Sequence, residues 1–173
     1  MTYPKATPSG APQLTLRPAQ PADVSLILQF IQELADYEKL RHEAVATEAL
    51  LNLHLFGPEP SAEVVLAEWD QRAAGLALYF RTFSTFLSLP GIYLEDLYVR
   101  PNFRGRGVGR SLLEYLAQQV VTRGYGRLEW SVLNWNNPAI GFYESLGAEP
   151  LSGWTGYRLT GDALEKLAHR PSR

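Results

Sequence analysis

The turn Arg104-Gly105-Arg106-Gly107-Val108-Gly109 constrains this chain more than any other stretch, because of what stands on either side of it. Ile92 to Val99 reads as a strand that begins after Pro90-Gly91 and is stopped by Pro101. Ser111 to Thr122 carries Leu112, Leu113, Leu116 and Val120 at helical spacing and is stopped by Gly124 and Gly126. A strand that turns through glycines into a helix is a unit of an α/β fold. It also places unpaired amide donors and the positive end of a helix dipole at the turn, where they attract an anion. Glycines at 105, 107 and 109 let the backbone approach that anion closely, and Arg104, Arg106 and Arg110 add positive charge. A basic surface turn with no ligand has the same composition.

The spacing argues against the two commoner nucleotide loops. A Walker loop needs four residues between its glycines, followed by Lys and Ser or Thr. Gly105 and Gly109 enclose three, and Arg110 stands where the lysine would be. A dinucleotide fingerprint needs G-x-G-x-x-G, whereas this turn reads G-x-G-x-G.

The remaining elements fall around this unit. Residues 1–13, with Pro4, Pro8, Pro12, Ser9 and Gly10, read as a flexible tail, and 14–173 as one domain. Leu14 to Arg17 alternates as a short strand. Pro21-Ala22-Asp23 opens a helix carrying Val24, Ile27, Leu28, Ile31, Leu34 and Ala35 to about Tyr37–Leu40. Thr47 caps a second helix to Leu55. Glu63–Trp69 and Ala74–Phe83 are strands about an Asp70-Gln71 turn, and Arg127–Leu133 is a further strand. Pro138–Leu146 is a helix ended by Gly147, Leu151–Leu159 a last strand, and Asp162–Ala168 a last short helix. The class is therefore α/β, with a mixed sheet whose antiparallel meander precedes a strand–helix–strand unit.

Bulk properties exclude several functions. With 16 basic and 18 acidic residues the net charge is −2, which gives no general attraction to nucleic acid or anionic membrane. The chain has no cysteine, so disulfides and thiolate chemistry are out. His42, His54 and His169 lack ligand spacing, so no metal is expected. No stretch approaches 18 apolar residues, and a cytoplasmic location is expected.

Several motifs in order resemble the Gcn5-related N-acetyltransferase (GNAT) family, over about residues 14–168. Arg104, Gly107 and Gly109 match its Q/R-x-x-G-x-G/A loop. The stretches Leu16–Ala19, Glu33–Glu38, Tyr93–Val99 and Trp135–Tyr143 resemble, within that family, the diamine (spermidine/spermine-type) and thialysine acetyltransferases. The resemblance implies a mixed central sheet flanked by helices, with a splayed parallel strand pair. It implies acetyl-coenzyme A as co-substrate, a small-molecule amine as acceptor, a homodimer, and direct attack of the amine on the thioester. It assigns the cofactor to backbone groups of Leu97, Tyr98 and Val99, to Arg104, Gly105, Arg106, Gly107, Val108, Gly109 and Arg110, and to Asn136, Pro138, Ala139 and Tyr143. It assigns the acceptor to Tyr37, Glu38, Glu95 and Asp96.

Chemistry gives these residues roles. An alkyl ammonium has a pKa near ~10 and must lose a proton before it attacks. Glu95 is the candidate acceptor of that proton; binding the cation is the other role that fits it. Asp96 points to the opposite face if the strand is regular. Tyr143 matches the family's acid for the leaving thiolate, and its other reading is a core aromatic. Asn136 is a natural helix cap as well as a residue near the cofactor. Glu38 reads either as an acceptor contact or as a solvated helix-end charge. The diamine enzymes carry acidic residues in the last strand where this chain has Trp154 and Thr155, which removes a second anchor for a long dication. Two other classes compete: a non-catalytic acyl-CoA-binding module, against which Glu95 and Tyr143 stand, and an RNA-binding module using Arg100, Arg104, Arg106, Arg110 and Arg123, against which the net charge stands.

Overall fold

The computed structural model describes residues 13–169; the tail expected over the first residues lies, apart from Gln13, outside them. The chain divides after Ser131 into two units.

The first unit is a five-stranded sheet with helices on its faces. Its elements are β1 (Leu14–Pro18), α1 (Val24–Glu38), α2 (Glu48–Phe56), β2 (Glu63–Trp69), β3 (Arg72–Ser84), β4 (Leu89–Val99), α3 (Val108–Thr122) and β5 (Leu128–Trp130). The strands lie in sequence order; all neighbours are antiparallel except β4 and β5. A parallel pair needs a crossover, and α3 supplies it. The mixed sheet expected from the sequence is therefore present.

Strand alternation sorts the core into two layers. Val64, Leu66, Leu76, Leu78 and Tyr98 pack on one face against Ile27 and Phe30 of α1. Val65, Ala67 and Ala77 alternate with that set and are fully buried. They face the side on which α3 packs against β3 and β4 through Leu112, Leu113 and Leu116.

Two arginines fix α1 to the sheet. Arg17 of β1 makes a two-pronged contact with Asp23 (2.7 and 2.9 Å) and a third bond to Glu68 of β2 (2.8 Å). Arg100, just past β4, donates to Glu33 of α1 at 2.8 Å and lies 4.5 Å from the centre of the Phe30 ring. Forked, partly buried contacts of this kind set the angle of α1 and hold its end beside β4.

The second unit contains α4 (Asn137–Glu144) and α5 (Gly161–Ala168). Asn136 caps α4 by accepting from the Ala139 amide (3.4 Å), and Pro138 occupies the first turn. The strand expected over Leu151–Leu159 is not formed. Gly153 and Gly156 weaken the segment, and a strand without a partner leaves its backbone unpaired. Trp154 is 78 % exposed and Tyr157 95 %.

Candidate active site

The site begins with an irregularity in β4. Tyr79 pairs with Leu94 and Leu78 with Asp96, so Glu95 is an extra residue with no partner on β3. This is a β-bulge. The strand is therefore not regular at this point, which is the condition on which Glu95 and Asp96 were expected to point to opposite faces.

The bulge also changes which amides face outward. Before it, the Ile92 amide bonds to Arg127 on the β5 side. Beyond it, the Arg100 amide bonds to Ala74 on the β3 side. By alternation back from Arg100, the amides of Val99 and Leu97 face away from β3, whereas that of Tyr98 faces β3. β5 has ended by then: its ladder with β4 holds only Ile92–Leu128, Tyr93–Glu129 and Leu94–Trp130. Leu97 and Val99 thus present backbone groups beyond the end of the parallel ladder. Tyr98 does not; its ring is buried edge-on against Phe30, 6.1 Å between centres.

Three carboxylates gather beside the bulge. Asp96 is pushed up to about 6, by burial first and then by the charges of Glu95 and Glu38. Glu38, at the end of α1, is also raised by burial. Glu38 comes close because α1 stops there: Lys39 takes a left-handed conformation (φ 62°) and turns the chain away. Tyr37, its neighbour, stacks under the Arg104 guanidinium at 4.8 Å. The four residues expected to meet an acceptor therefore lie on two adjoining elements.

The glycine-rich loop follows. Helix α3 starts at Val108, three residues before the expected start, and absorbs Gly109 and Arg110 into its first turn. Gly107 is its N-cap in the left-handed region (φ 83°), with no side chain capping the helix. Gly105 is left-handed too (φ 71°). Nothing lies within 4 Å of where a Cβ would stand at either, so backbone conformation, not crowding, requires glycine there. An uncapped helix start behind two left-handed glycines leaves amide donors facing open space, which suits a pyrophosphate. Arg104 has a structural task besides the charge for phosphate expected from the sequence. Its Nε donates to the Val99 carbonyl at 2.8 Å, and its guanidinium stacks on Tyr37. Arg104 closes the end of β4's outward edge and ties it to α1.

In the second unit Tyr143 lies on α4 beside Phe142, their rings 5.4 Å apart. Asn136 is buried at the head of the same helix and acts as its cap. Pro138 is exposed, and Ala139 supplies the capped amide. Among the described residues, no group of three or more His, Cys, Asp or Glu is placed to hold a metal ion, and no helix is long and apolar enough to cross a membrane.

The site is thus framed by a mixed sheet with a bulged strand, a short parallel ladder and a glycine turn into a helix. The acetyltransferase (GNAT) family model matches residues 28–148, and the chain belongs to that family of enzymes. It is similar to a thialysine N-epsilon-acetyltransferase of Mus musculus, 34% identical over 90% of this chain and 97% of that one. It is also similar to an L-ornithine N5-acetyltransferase of Arabidopsis thaliana, 32% identical over 96% of this chain and 93% of that one. Among solved structures, an integron cassette protein from the mobile metagenome of V. cholerae superposes with a TM-score of 0.76 at 27% identity, covering 90% of this chain and 98% of that one.

The bulge and the two-way use of Arg104 were missed from sequence. No residue-type signal marks a bulge here, since Glu95 and Asp96 fit a regular exposed strand equally well. The Arg104–Tyr37 stack joins residues far apart in the chain.

Proposed function

We propose that this enzyme transfers the acetyl group of acetyl-coenzyme A to a small primary amine of the diamine, polyamine or lysine-analogue type. One observation carries the reading: Glu38, Glu95 and Asp96 cluster at the bulge of the strand whose far end runs into the glycine loop. A cation is drawn to three carboxylates, and its donor partner is anchored a few residues along the same strand. The two relatives named above act, by their names, on thialysine and L-ornithine, both amines with a flexible chain.

In this reading the loop amides from Gly105 to Arg110 bind pyrophosphate, and the outward amides of Leu97 and Val99 bind the pantetheine arm. One of these amides polarises the thioester carbonyl as negative charge develops on its oxygen. Glu38, Asp96 and the ring of Tyr37 hold the ammonium. Glu95 takes its proton, directly or through water; the free amine forms the C–N bond as the C–S bond breaks, the extra proton on the acylated nitrogen passes to solvent, and Tyr143 donates a proton to the leaving thiolate and is reprotonated from solvent. Trp154 and Thr155 carry no charge, which supports a shorter acceptor over a long polyamine. The reading takes residues 14–173 as one acetyltransferase domain and places a homodimer in the cytoplasm. The exposed apolar side chains of Leu151, Trp154 and Tyr157 support a self-association surface.

The test is a panel of monoamines, diamines, polyamines, ornithine and lysine analogues, each incubated with acetyl-coenzyme A and read out by free thiol. Saturable release with short diamines or lysine analogues is expected. Release with none of them sinks the proposed acceptor class.

A further inference from the structure

Beside the glycine loop, toward the β2–β3 hairpin, lies an open cavity of about 560 Å³ lined by Arg72, Ala73, Arg100, Asn102, Phe103 and Arg106. Three arginines on one cavity concentrate positive charge in a chain whose net charge is −2. They are not equivalent. Arg100 is neutralised by Glu33 at 2.8 Å. Arg72 and Arg106 have no carboxylate within ion-pair distance among the described residues.

Both of these arginines are nevertheless held in place. Arg72 lies over the Phe103 ring at 5.3 Å, and Arg106 over the Trp69 ring at 5.5 Å. An aromatic ring engages the face of a guanidinium and leaves its N–H edges to donate sideways. The cavity thus carries two pre-positioned forks that no carboxylate pairs directly among the described residues, and the Asn102 side chain adds polar groups. Forks of this kind match phosphate oxygens, and two of them balance a phosphomonoester, which carries about −1.5 to −2 charges at neutral pH. The volume suits a nucleotide-sized group better than a bare ion.

Arg106 belongs to the loop that holds pyrophosphate in the reading above, so the cavity opens directly beside that loop. Coenzyme A carries a phosphomonoester on its ribose, a few bonds beyond the pyrophosphate. We propose that this cavity is a phosphomonoester site that seats the ribose 3′-phosphate of the acetyl donor, with Arg72 and Arg106 as its two forks. This rests on acetyl-coenzyme A being the donor. Arg72, on a different hairpin from the loop, becomes a determinant of donor specificity.

The experiment compares acetyl-coenzyme A with its 3′-dephospho analogue as donors for the intact protein, and repeats the comparison in Arg72→Gln. Arg72 is exposed, so its loss leaves the core untouched. The wild type is expected to show a KM for the dephospho donor roughly 10- to 100-fold higher, the scale of a charge-assisted contact. Arg72→Gln is expected to raise the KM for acetyl-coenzyme A about tenfold and to narrow the gap between donors. Adenosine 3′,5′-bisphosphate is expected to compete with acetyl-coenzyme A, and less well in the variant. Equal KM values for the two donors in the wild type overturn the assignment. So does an Arg72→Gln effect of the same size on both donors. Inhibition by inorganic phosphate that depends on Arg72 but does not compete with acetyl-coenzyme A gives the cavity to a separate ligand and also overturns it. No turnover or binding with either donor overturns the donor reading itself, a result distinct from equal use of both.

Discussion

Replacing Asp96 by Asn should make the protein more stable and a poorer enzyme, and the two effects should part company with pH. Asp96 is raised from 3.8 to about 6 because its ionised form is buried beside Glu95 and Glu38. A carboxyl whose folded value is raised contributes stability that is complete below 3.8 and is lost as pH rises through about 6. The gap is roughly two units at about 1.4 kcal/mol each, so the ionised form costs the fold up to ~3 kcal/mol above pH 6. Asn keeps the shape and removes the charge. For a chain of this size ~1 kcal/mol moves Tm by about 2–4 °C, so Asp96→Asn should melt roughly 5–10 °C higher at pH 7.5. At pH 4 the two proteins should melt together. Scanning calorimetry from pH 4 to 8 measures this directly. High salt should shrink the gap in part, because it screens the charges of Glu95 and Glu38 but not the burial. A difference in Tm that is the same at every pH, or a variant that melts lower at pH 7.5, would refute the account of the cluster. Activity supplies the second half: the KM for a cationic acceptor should rise while that for the acetyl donor stays put.

Three other substitutions address the remaining roles. Glu38→Gln should raise the KM for a diamine about tenfold, and an unchanged KM would place the acceptor elsewhere. Tyr143→Phe should lower kcat by about 10²-fold or more with little change in donor affinity, as loss of a general acid does; an unchanged rate removes Tyr143 from that role. Gly107→Val forces a β-branched residue into a left-handed conformation with a cost of about 1–2 kcal/mol. It should abolish donor binding measured by calorimetry while circular dichroism stays native, and normal binding would show that the loop is not the pyrophosphate site.

The parts of this molecule that were legible in sequence are those written in local periodicity. The leucines of α3 and the short apolar runs of β2 and β3 are such signals, and the elements lie where these put them, with shifts of a few residues at their ends. Helix α3 reaches back to Val108 because glycine at 109 tolerates a helix's first turn as well as a loop. β4 begins at Leu89 because Pro90 and Gly91 pair with Phe83 and Thr82. The segment Leu151–Leu159 misled because its apolar residues look like a strand's, yet a strand exists only when another edge completes its ladder. The site was legible as residue types but not as geometry. Glu38, Glu95 and Asp96 were named from motifs; that a bulge turns them into an electrostatically coupled group follows only from the register of β3 against β4. Arg72 gave no signal at all, since an exposed arginine after a hairpin turn is ordinary and its meaning comes from Phe103 and the cavity.

The central claim is that one carboxylate cluster and one glycine loop serve a single transfer from acetyl-coenzyme A to an amine. Mass spectrometry of a reaction containing acetyl-coenzyme A and a short diamine or lysine analogue, with free thiol counted in the same tube, tests it most directly. The account predicts a mono-N-acetylated amine formed in equal number with coenzyme A thiol, at a rate that Glu95→Gln and Tyr143→Phe each reduce. Donor binding without any acetylated amine, or thiol release with no matching product, would contradict it.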